Sequence, residues 1–250
     1  MRLSKMDLIH DLLGYDKIKI VQNPEMFRFS LDSMLLAAFV EPKRDCRRII
    51  DLGCGNAPIP LFLTMKTQAE IYGIEIQKDV YDLAVKSVEI NGFQKQIQII
   101  NADICNIYKQ LGANTFDIVI SNPPYFKWNE SSNVNKNDYL TIARHEVKID
   151  LEGIVKESKK LLNSGGLFYL VHRVERLSEV MILLNANDFG VRRLRFVYPK
   201  TESKRALLFL LEARNNRPAD VKVEQPLFVY EGNEYTEEVR TIFNFKKDQI

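Results

Sequence analysis

The sequence predicts an α/β fold, a doubly wound, seven-stranded, mostly parallel sheet whose last strand runs antiparallel. From residue 47 onward, apolar strand-like runs alternate with amphipathic helical runs, and this alternation is typical of a parallel sheet. The last two strand-like runs are separated by only a short polar turn, so they should pair antiparallel. A glycine turn follows the first strand, at the position where sheets of this kind bind their ligands.

The composition fits one large domain. The chain has 250 residues, of which 46% are hydrophobic, enough for a substantial core. We expect no membrane span, because no run of about 18 apolar residues occurs. We expect no secretion signal, because the first residues lack an apolar central region. Three cysteines without metal-ligand spacing predict a reducing cytoplasm and no metal. The net charge of +2 does not by itself favour or exclude any class of binding partner.

The pattern divides the chain into three parts. We expect an N-terminal extension over residues 1–46, the catalytic fold over 47–215, and a tail over 216–250 that belongs to the same domain. Residues 1–20 fit either a short hairpin or a helical segment, because their apolar positions allow both. A helix is expected over Ser33–Val40, where proline follows closely and ends it.

The elements of the catalytic fold follow from their apolar periods. Strands are predicted at 47–52, 70–75, 97–100, 116–120, 167–171, 191–198 and 205–212. Helices are predicted at 58–66, 77–91, 150–162 and 175–187, with a short one from Thr236 in the tail. One long polar loop, rich in Asn and Ser, spans about 126–139.

The segment from Asp51 to Pro58 joins the first strand to the first helix. Gly53 and Gly55 have no Cβ, so the backbone there bends sharply and approaches a ligand closely. Pro58 suits the first helical turn, where its missing N–H is not needed. The turn therefore predicts a small-molecule site at the carboxyl end of the first strand.

Three acidic residues end three successive predicted strands, namely Asp51, Glu75 and Asp103. Each alone could equally be a cap or turn residue. Glu75 follows the glycine turn by about 20 residues, the spacing from which a carboxylate accepts ribose hydroxyls. Asp51 precedes the first glycine, where it would repel a pyrophosphate but suit a positively charged ligand. Pro58 also stands where a dinucleotide fold would have its third glycine.

The fourth strand ends in Ser121-Asn122-Pro123-Pro124-Tyr125. Two prolines end the strand and fix an extended turn, and the turn could be a strand terminator only. Its chemical use would be to hold an –NH2 group, because the Asn122 amide oxygen and the Pro123 carbonyl can accept both hydrogens while Tyr125 stacks behind. Fixed acceptors stabilise positive charge developing on the nitrogen and aim it at a methyl carbon.

These two motifs resemble those of known enzymes. Asp51-x-Gly53-x-Gly55 with Glu75 and Asp103 resembles the class I S-adenosylmethionine-dependent methyltransferases, with Ala57 where that family often has a third glycine, a mild departure of one methyl group. The turn at 122–125 resembles the N-P-P-[YF] motif of exocyclic-amine methyltransferases. The resemblance implies S-adenosylmethionine as the cofactor, with the glycine turn facing its amino-acid part, Glu75 its ribose and Asp103 its adenine. It implies the cofactor-binding residues Asp51, Gly53, Gly55, Asn56, Glu75, Ile76, Asp103, Ile104 and Asn122, and the catalytic residues Asn122, Pro123, Pro124 and Tyr125.

Enzymes with this motif methylate adenine N6, cytosine N4, guanine N2 or a glutamine amide. Only 46 residues precede the first strand, whereas the glutamine enzymes carry a helical domain there, which favours a nucleic-acid base. Residues 27–36 resemble the F-R-F-S-x-D-x-x-L-L stretch of bacterial tRNA(Val) adenine-N6 methyltransferases, as do 143–146 and 230–239. This resemblance implies that the extension lies over the cofactor pocket and that adenosine 37, just 3′ of the anticodon, is the target. Guanine N2 of rRNA, a protein glutamine, and a cofactor-binding RNA chaperone or sensor without turnover remain the alternatives.

An RNA substrate needs contacts to phosphates and bases. The turn at 122–125 is named here the amine turn. We expect Lys127 and Trp128, in the loop 126–139 that directly follows it, and Arg28 in the extension to contact the RNA. The basic residues of strand 191–198 and of the turn after it could do so too, or could form an ordinary solvated edge. We expect a cytoplasmic monomer whose partner is tRNA.

Overall fold

The computed structural model describes residues 6–24, 26, 30–123, 125 and 150–245. The strands are β1 (Leu8–Leu12), β2 (Tyr15–Gln22), β3 (Arg48–Leu52), β4 (Glu70–Glu75), β5 (Ile97–Asn101), β6 (Phe116–Ser121), β7 (Leu162–Arg173), β8 (Phe189–Lys200), β9 (Leu208–Asn215), β10 (Lys222–Val223), β11 (Leu227–Glu231) and β12 (Glu234–Tyr235). The helices are α1 (Leu31–Phe39), α2 (Pro58–Leu63), α3 (Lys78–Ile90), α4 (Tyr108–Leu111), α5 (Leu151–Leu161), α6 (Leu177–Ala186) and α7 (Glu237–Phe243).

The seven predicted strands lie side by side in one sheet in the order β5-β4-β3-β6-β7-β9-β8. The first five are parallel, and β9 runs antiparallel to both β7 and β8. The α/β class, the mostly parallel sheet and the antiparallel last strand of the seven are therefore confirmed. The sheet is larger than predicted, with ten strands among the described residues, because the tail adds β10 and β11 beside β8 and β12 beside β11.

Local boundaries differ in two places. The N-terminal residues form the hairpin of β1 and β2, in which His10 lies opposite Ile20, so the helical alternative for residues 1–20 is wrong where they are described. Residues 163–166, which lie between the predicted helix at 150–162 and the predicted strand at 167–171, belong to β7. They do so because the pairing of β6 with β7 shifts register after Phe116, and the strand therefore starts at Leu162.

The core lies in two layers, one on each face of the sheet. Successive side chains of a strand point to opposite faces, so Ile49 joins the layer under α1, α2 and α7 while Ile50 joins the layer under α5 and α6. All six residues of α2 are buried. Within the described residues, helices thus cover both faces of the sheet, which leaves the strand ends for a ligand.

The parallel register brings the predicted site residues to one edge. Leu52 pairs with Ile74 and with Ser121, and Glu75 pairs with Asn101. The ends of β3, β4, β5 and β6 therefore meet at a common carboxyl edge. Gly53 and Asn122 each follow directly after one of these strands.

Candidate active site

The glycine turn is fixed by the neighbouring strand. The backbone N–H groups of Gly53 and Cys54 both donate to the Ile74 carbonyl, at 2.9 Å each. Gly53 and Gly55 have φ values of +81° and +56°, which side-chain-bearing residues rarely adopt. A Cβ built on either would meet no atom within 4 Å. The turn therefore presents bare backbone to open space, as a ligand cradle requires.

Two further small residues shape this turn. Ala57 has φ +71°, so the position where related enzymes often have glycine demands a left-handed backbone. The departure is thus more than an added methyl group, since this conformation costs an L-residue roughly 1 kcal/mol. Gly73 in β4 was not singled out from the sequence, yet a Cβ there would lie 2.7 Å from Cys54 Sγ. Gly73 therefore lets the turn pack directly on β4.

Asp51 is a buried carboxylate without a partner. Its side chain is 1% exposed, and neither oxygen has a hydrogen-bond partner among the described residues. Burial, and secondarily the charge of Glu75, raise the pKa of Asp51 to about 8. An orphaned buried carboxylate is costly. A cationic group placed beside the glycine turn would remove that cost, so the site fits a positively charged ligand.

Glu75 is held in place by backbone donors. Its Oε2 accepts from Gly55 N at 3.1 Å and its Oε1 from Gln77 N at 2.8 Å. Burial raises the pKa of Glu75, and these hydrogen bonds act in the opposite direction. An ionised carboxylate has about four acceptor sites, so each oxygen keeps one for a hydroxyl. This arrangement fits a ribose.

The remaining predicted cofactor residues divide into two groups. Asp103 is exposed after β5 and accepts from Cys105 N at 2.8 Å, while Ile76 and Ile104 are half-buried near it along the same edge. Asn56 is different, because its side-chain amide donates to the Val21 carbonyl at 2.9 Å and is buried. Asn56 thus ties the N-terminal hairpin to the glycine turn. Its side-chain nitrogen is already used within the protein.

The amine turn is held by the start of α1. Asn122 Nδ2 donates to Ser33 Oγ at 2.9 Å, and the Tyr125 hydroxyl lies 2.7 Å from Asp32 Oδ2 and 3.0 Å from Asn122 Oδ1. One hydroxyl proton serves these two acceptors. Burial raises the pKa of Asp32, although the hydrogen bond from Tyr125 opposes this. The amide nitrogen of Asn122 is thereby fixed inward, and its oxygen lies on the Tyr125 side.

His172 supports Tyr125 from below. The two ring centres are 5.4 Å apart with a 53° angle between the planes. His172 is fully buried, its Nδ1 accepts from Arg173 N at 2.8 Å, and burial lowers its pKa to about 4. It is therefore neutral at physiological pH. No sequence motif points to His172, which directly follows the predicted strand at 167–171.

Several predicted residues lie outside the described part of the chain. They are Arg28, Pro124, Lys127 and Trp128. Pro123 is described and is buried directly after Asn122. Among the described residues no group of His, Cys, Asp and Glu could hold a metal ion, and no helix of that part is long and apolar enough to cross a membrane.

The arginines of β8 are already paired with acids. Arg193 contacts Glu212 at 3.0 Å and Glu224 at 2.7 Å, and Arg195 contacts Glu238 at 2.6 Å. Arg192 lies 2.9 Å from Glu212. The sequence suggested this strand as an RNA contact. The ion pairs favour the structural alternative instead, because a phosphate would have to displace them.

The sheet order, the glycine cradle with its orphaned carboxylate and the rigid Asn-Pro turn define a class I methyltransferase. The family model described as "Methyltransferase small domain" matches residues 17–187, and the chain belongs to that family. The predicted resemblance and the predicted enzyme class are thus confirmed. S-adenosylmethionine is the methyl donor of this class, and the open space beside Gly53 and Gly55, together with Asp51, fits its cationic part.

Curated relatives align over nearly the whole chain. A tRNA1(Val) (adenine(37)-N6)-methyltransferase of Tolumonas auensis is 27% identical over 90% of this chain and 91% of its own length. A protein of the same name from Porphyromonas gingivalis is 28% identical over 87% and 85%.

Solved structures of low sequence identity share the fold. One, described as a predicted O-methyltransferase from Agrobacterium tumefaciens, has a TM-score of 0.68, 24% identity, and coverage of 86% of this chain and 96% of its own. TrmK of M. capricolum in complex with S-adenosyl-homocysteine has a TM-score of 0.54 and 17% identity, with coverage of 78% and 72%.

Proposed function

We propose that this protein transfers the methyl group of S-adenosylmethionine to the N6 amine of an adenosine in tRNA, at position 37 of tRNA1(Val). The observation that carries the proposal is the Asn122 carboxamide, anchored by Ser33 at the carboxyl edge that also holds the glycine cradle. Relatives that bear this name and align over most of both chains support the substrate. We further propose a cytoplasmic monomer in which residues 1–46, 47–215 and 216–250 form one catalytic unit.

The part of the site that would bind the cofactor is named here the donor half. It comprises the glycine turn and the carboxyl ends of β3, β4 and β5. Asp51 would neutralise the charge on the amino-acid part, and Glu75 would accept ribose hydroxyls. Asp103, with Ile76 and Ile104 beside it, would hold the adenine. When bound, S-adenosylmethionine supplies an electrophilic methyl group on a sulfonium centre. The bare backbone at Gly53 and Gly55 leaves the room for it.

The part of the site that would bind the amine of the target base is named here the acceptor half. It comprises the amine turn and the start of α1. The Asn122 amide oxygen and the Pro123 carbonyl would each accept one hydrogen of the N6 amino group, which draws the nitrogen lone pair out of the ring. These fixed dipoles stabilise the positive charge that develops on nitrogen without reorganising. We propose Tyr125, braced by His172, as the stacking surface for the base, with Pro124 fixing the turn.

Tyr125 has a second task in this proposal. Its single hydroxyl proton faces both Asp32 and Asn122 in the absence of substrate. An incoming amine would take over the Asn122 oxygen, and the hydroxyl would then bond only to Asp32, its closer acceptor. The Asp32 contact therefore frees Asn122 for the substrate without leaving the buried hydroxyl unsatisfied.

The test is to supply S-adenosylmethionine with a labelled methyl group to the purified protein together with total tRNA, rRNA or cell protein. The nucleosides of the labelled fraction are then identified by mass spectrometry. We expect label in tRNA, as N6-methyladenosine. Label in rRNA as N2-methylguanosine, or in a protein glutamine, would reject the proposed substrate. Binding without any transfer would indicate a chaperone or sensor.

A further inference from the structure

We propose that the turn of residues 201–207 between β8 and β9, named here the basic turn, binds phosphates of the RNA strand that enters the site. This inference rests on the proposed function, because it assumes an RNA substrate. Its chemistry is ion pairing between the side chains of Lys204 and Arg205 and backbone phosphates next to the target nucleoside. Such contacts position an RNA without reading its sequence.

The position of the basic turn follows from the sheet. β8 runs parallel to β6 and β7, since β9 is antiparallel to both β7 and β8. The end of β8 therefore lies on the same edge as Asn122. Two to three strand spacings, roughly 10–15 Å, separate β6 from β9 and β8. Val174 N also donates to the Leu207 carbonyl at 3.2 Å, which joins the basic turn to the exit of β7.

The basic turn is held rigidly. Ser203 N donates to the Lys200 carbonyl at 3.0 Å, and Lys200 N donates to Ser203 Oγ at 3.2 Å. Thr201 N donates to the Tyr230 carbonyl of β11 at 2.9 Å, and Leu207 N to the Val197 carbonyl at 2.8 Å. A backbone fixed at these points loses little entropy when it binds.

The two cations of the basic turn differ in this respect from the arginines of β8. Lys204 and Arg205 are exposed and have no ion pair with any residue of the described chain. The acid of the same turn already has a partner, since Glu202 Oε1 lies 3.8 Å from Lys200 Nζ. Phosphate binding at Lys204 and Arg205 therefore breaks no ion pair within the described residues.

The chain offers a matched control. Lys43 and Arg44 form the same Lys-Arg dipeptide, are equally exposed and have no ion pair among the described residues. They precede β3, so they lie at the amino edge of the sheet, opposite Asn122. Long-range attraction of RNA should be equal for the two dipeptides. Contact with the RNA strand that enters the site, in contrast, should be made by Lys204 and Arg205 and not by Lys43 and Arg44.

The experiment measures tRNA binding across a salt series for the wild type, Lys204→Ala/Arg205→Ala and Lys43→Ala/Arg44→Ala. Each lost phosphate contact lowers the slope of log affinity against log salt by about 0.7–0.9. We expect the basic-turn variant to lose about 1.4–1.8 from this slope and to bind tRNA on the order of tenfold more weakly near physiological salt. The amino-edge variant should keep the wild-type slope, and both should keep the wild-type affinity for S-adenosylhomocysteine.

Equal slopes for the wild type and the basic-turn variant would overturn the inference, and so would an equal loss in both variants. In either case a wild-type protein that methylates tRNA would leave the proposed function standing. A wild type that neither binds nor methylates tRNA would overturn the proposed function and this inference together.

Discussion

The donor half and the acceptor half of the site are built in different ways. Backbone hydrogen bonds from Gly53 and Cys54 to the adjacent strand hold the glycine turn. The amine turn is held by side chains, and the contact from Asn122 to Ser33 spans 89 positions of the chain. The donor half is thus a product of the sheet itself. The acceptor half depends on a few polar contacts from another segment, so it can change without disturbing the fold.

The donor half and the acceptor half also differ in their electrostatics. Asp51 in the donor half has no partner and a raised pKa, so it is poised for a charged ligand. In the acceptor half, Asn122 is bonded on both sides of its amide. Asp51 lacks a partner among the described residues until a ligand binds, whereas Asn122 is already held in one orientation. Substitutions should therefore separate cofactor affinity from methyl transfer.

The largest effect is expected from Asn122→Ala. Removing the carboxamide removes a fixed acceptor for the amine, and the loss of one such group costs about 100- to 1,000-fold in rate. Single-turnover transfer to tRNA measures this, and calorimetry measures the affinity for S-adenosylhomocysteine, which should stay near that of the wild type. A variant with full activity would refute the role assigned to the acceptor half.

Asp51→Asn should act on the donor half instead. Loss of the charged partner should weaken S-adenosylmethionine binding by about 10- to 100-fold. The carboxyl must be ionised to pair with a cation, so wild-type affinity should fall as the pH drops below about 8, the folded pKa. Glu75 and Cys54 are the titratable groups that face it. Calorimetric titrations from pH 6 to 9 would refute this if the variant kept the same pH profile.

The stability of the ligand-free protein should change with pH in the opposite direction to the cofactor affinity. The pKa of Asp51 is about 8 when folded and about 3.9 when unfolded, so the folded state holds the extra proton between these values. The contribution of Asp51 to the free energy of unfolding therefore falls as the pH rises from about 4 to about 8. Urea unfolding of the wild type and of Asp51→Asn at several pH values isolates the contribution of Asp51 to the free energy of unfolding. Parallel curves for the two proteins would contradict the assignment.

A smaller effect is expected from Ser33→Ala. Without the Ser33 acceptor, the Asn122 nitrogen loses its 2.9 Å hydrogen bond and keeps the longer one of 3.5 Å to Ser30 Oγ. The amide is then held less firmly, and one hydrogen bond is worth about 0.5–1.5 kcal/mol. Methyl transfer should fall about 3- to 10-fold while cofactor affinity and melting temperature stay close to the wild type. Ser33→Thr should restore the rate, and Ser178→Ala, at an exposed serine of α6, serves as the control. Unchanged transfer would show that the orientation of Asn122 does not depend on Ser33.

Much of the site was readable from strand ends. Asp51, Glu75 and Asn122 were predicted at one edge because parallel strands end together, and the sheet register places them there. The contacts of Ser33 and His172 were not predicted, because local spacing carries no information about partners so far apart in the chain. The pairing of Arg193 with Glu212 across β8 and β9 was missed for the same reason.

The smallest expected effect is a change in the free energy of unfolding caused by a substitution in the glycine turn. Ala57→Gly should raise the free energy of unfolding by about 0.5–1 kcal/mol, because relief of the left-handed strain exceeds the added entropy of the unfolded chain. Ala186→Gly, in α6 and without a positive φ, should lower it. Chemical denaturation measures both, and a loss of stability in Ala57→Gly would show that the turn is not strained.

The role proposed for Asn122 is to hold an exocyclic amine of the target base. The most direct measurement supplies labelled S-adenosylmethionine with two tRNA1(Val) transcripts, one carrying adenosine at position 37 and one carrying inosine, which has no exocyclic amine. We expect label in the first transcript only, recovered as N6-methyladenosine at position 37. Equal label in both transcripts would show that methyl transfer does not require an exocyclic amine held by Asn122.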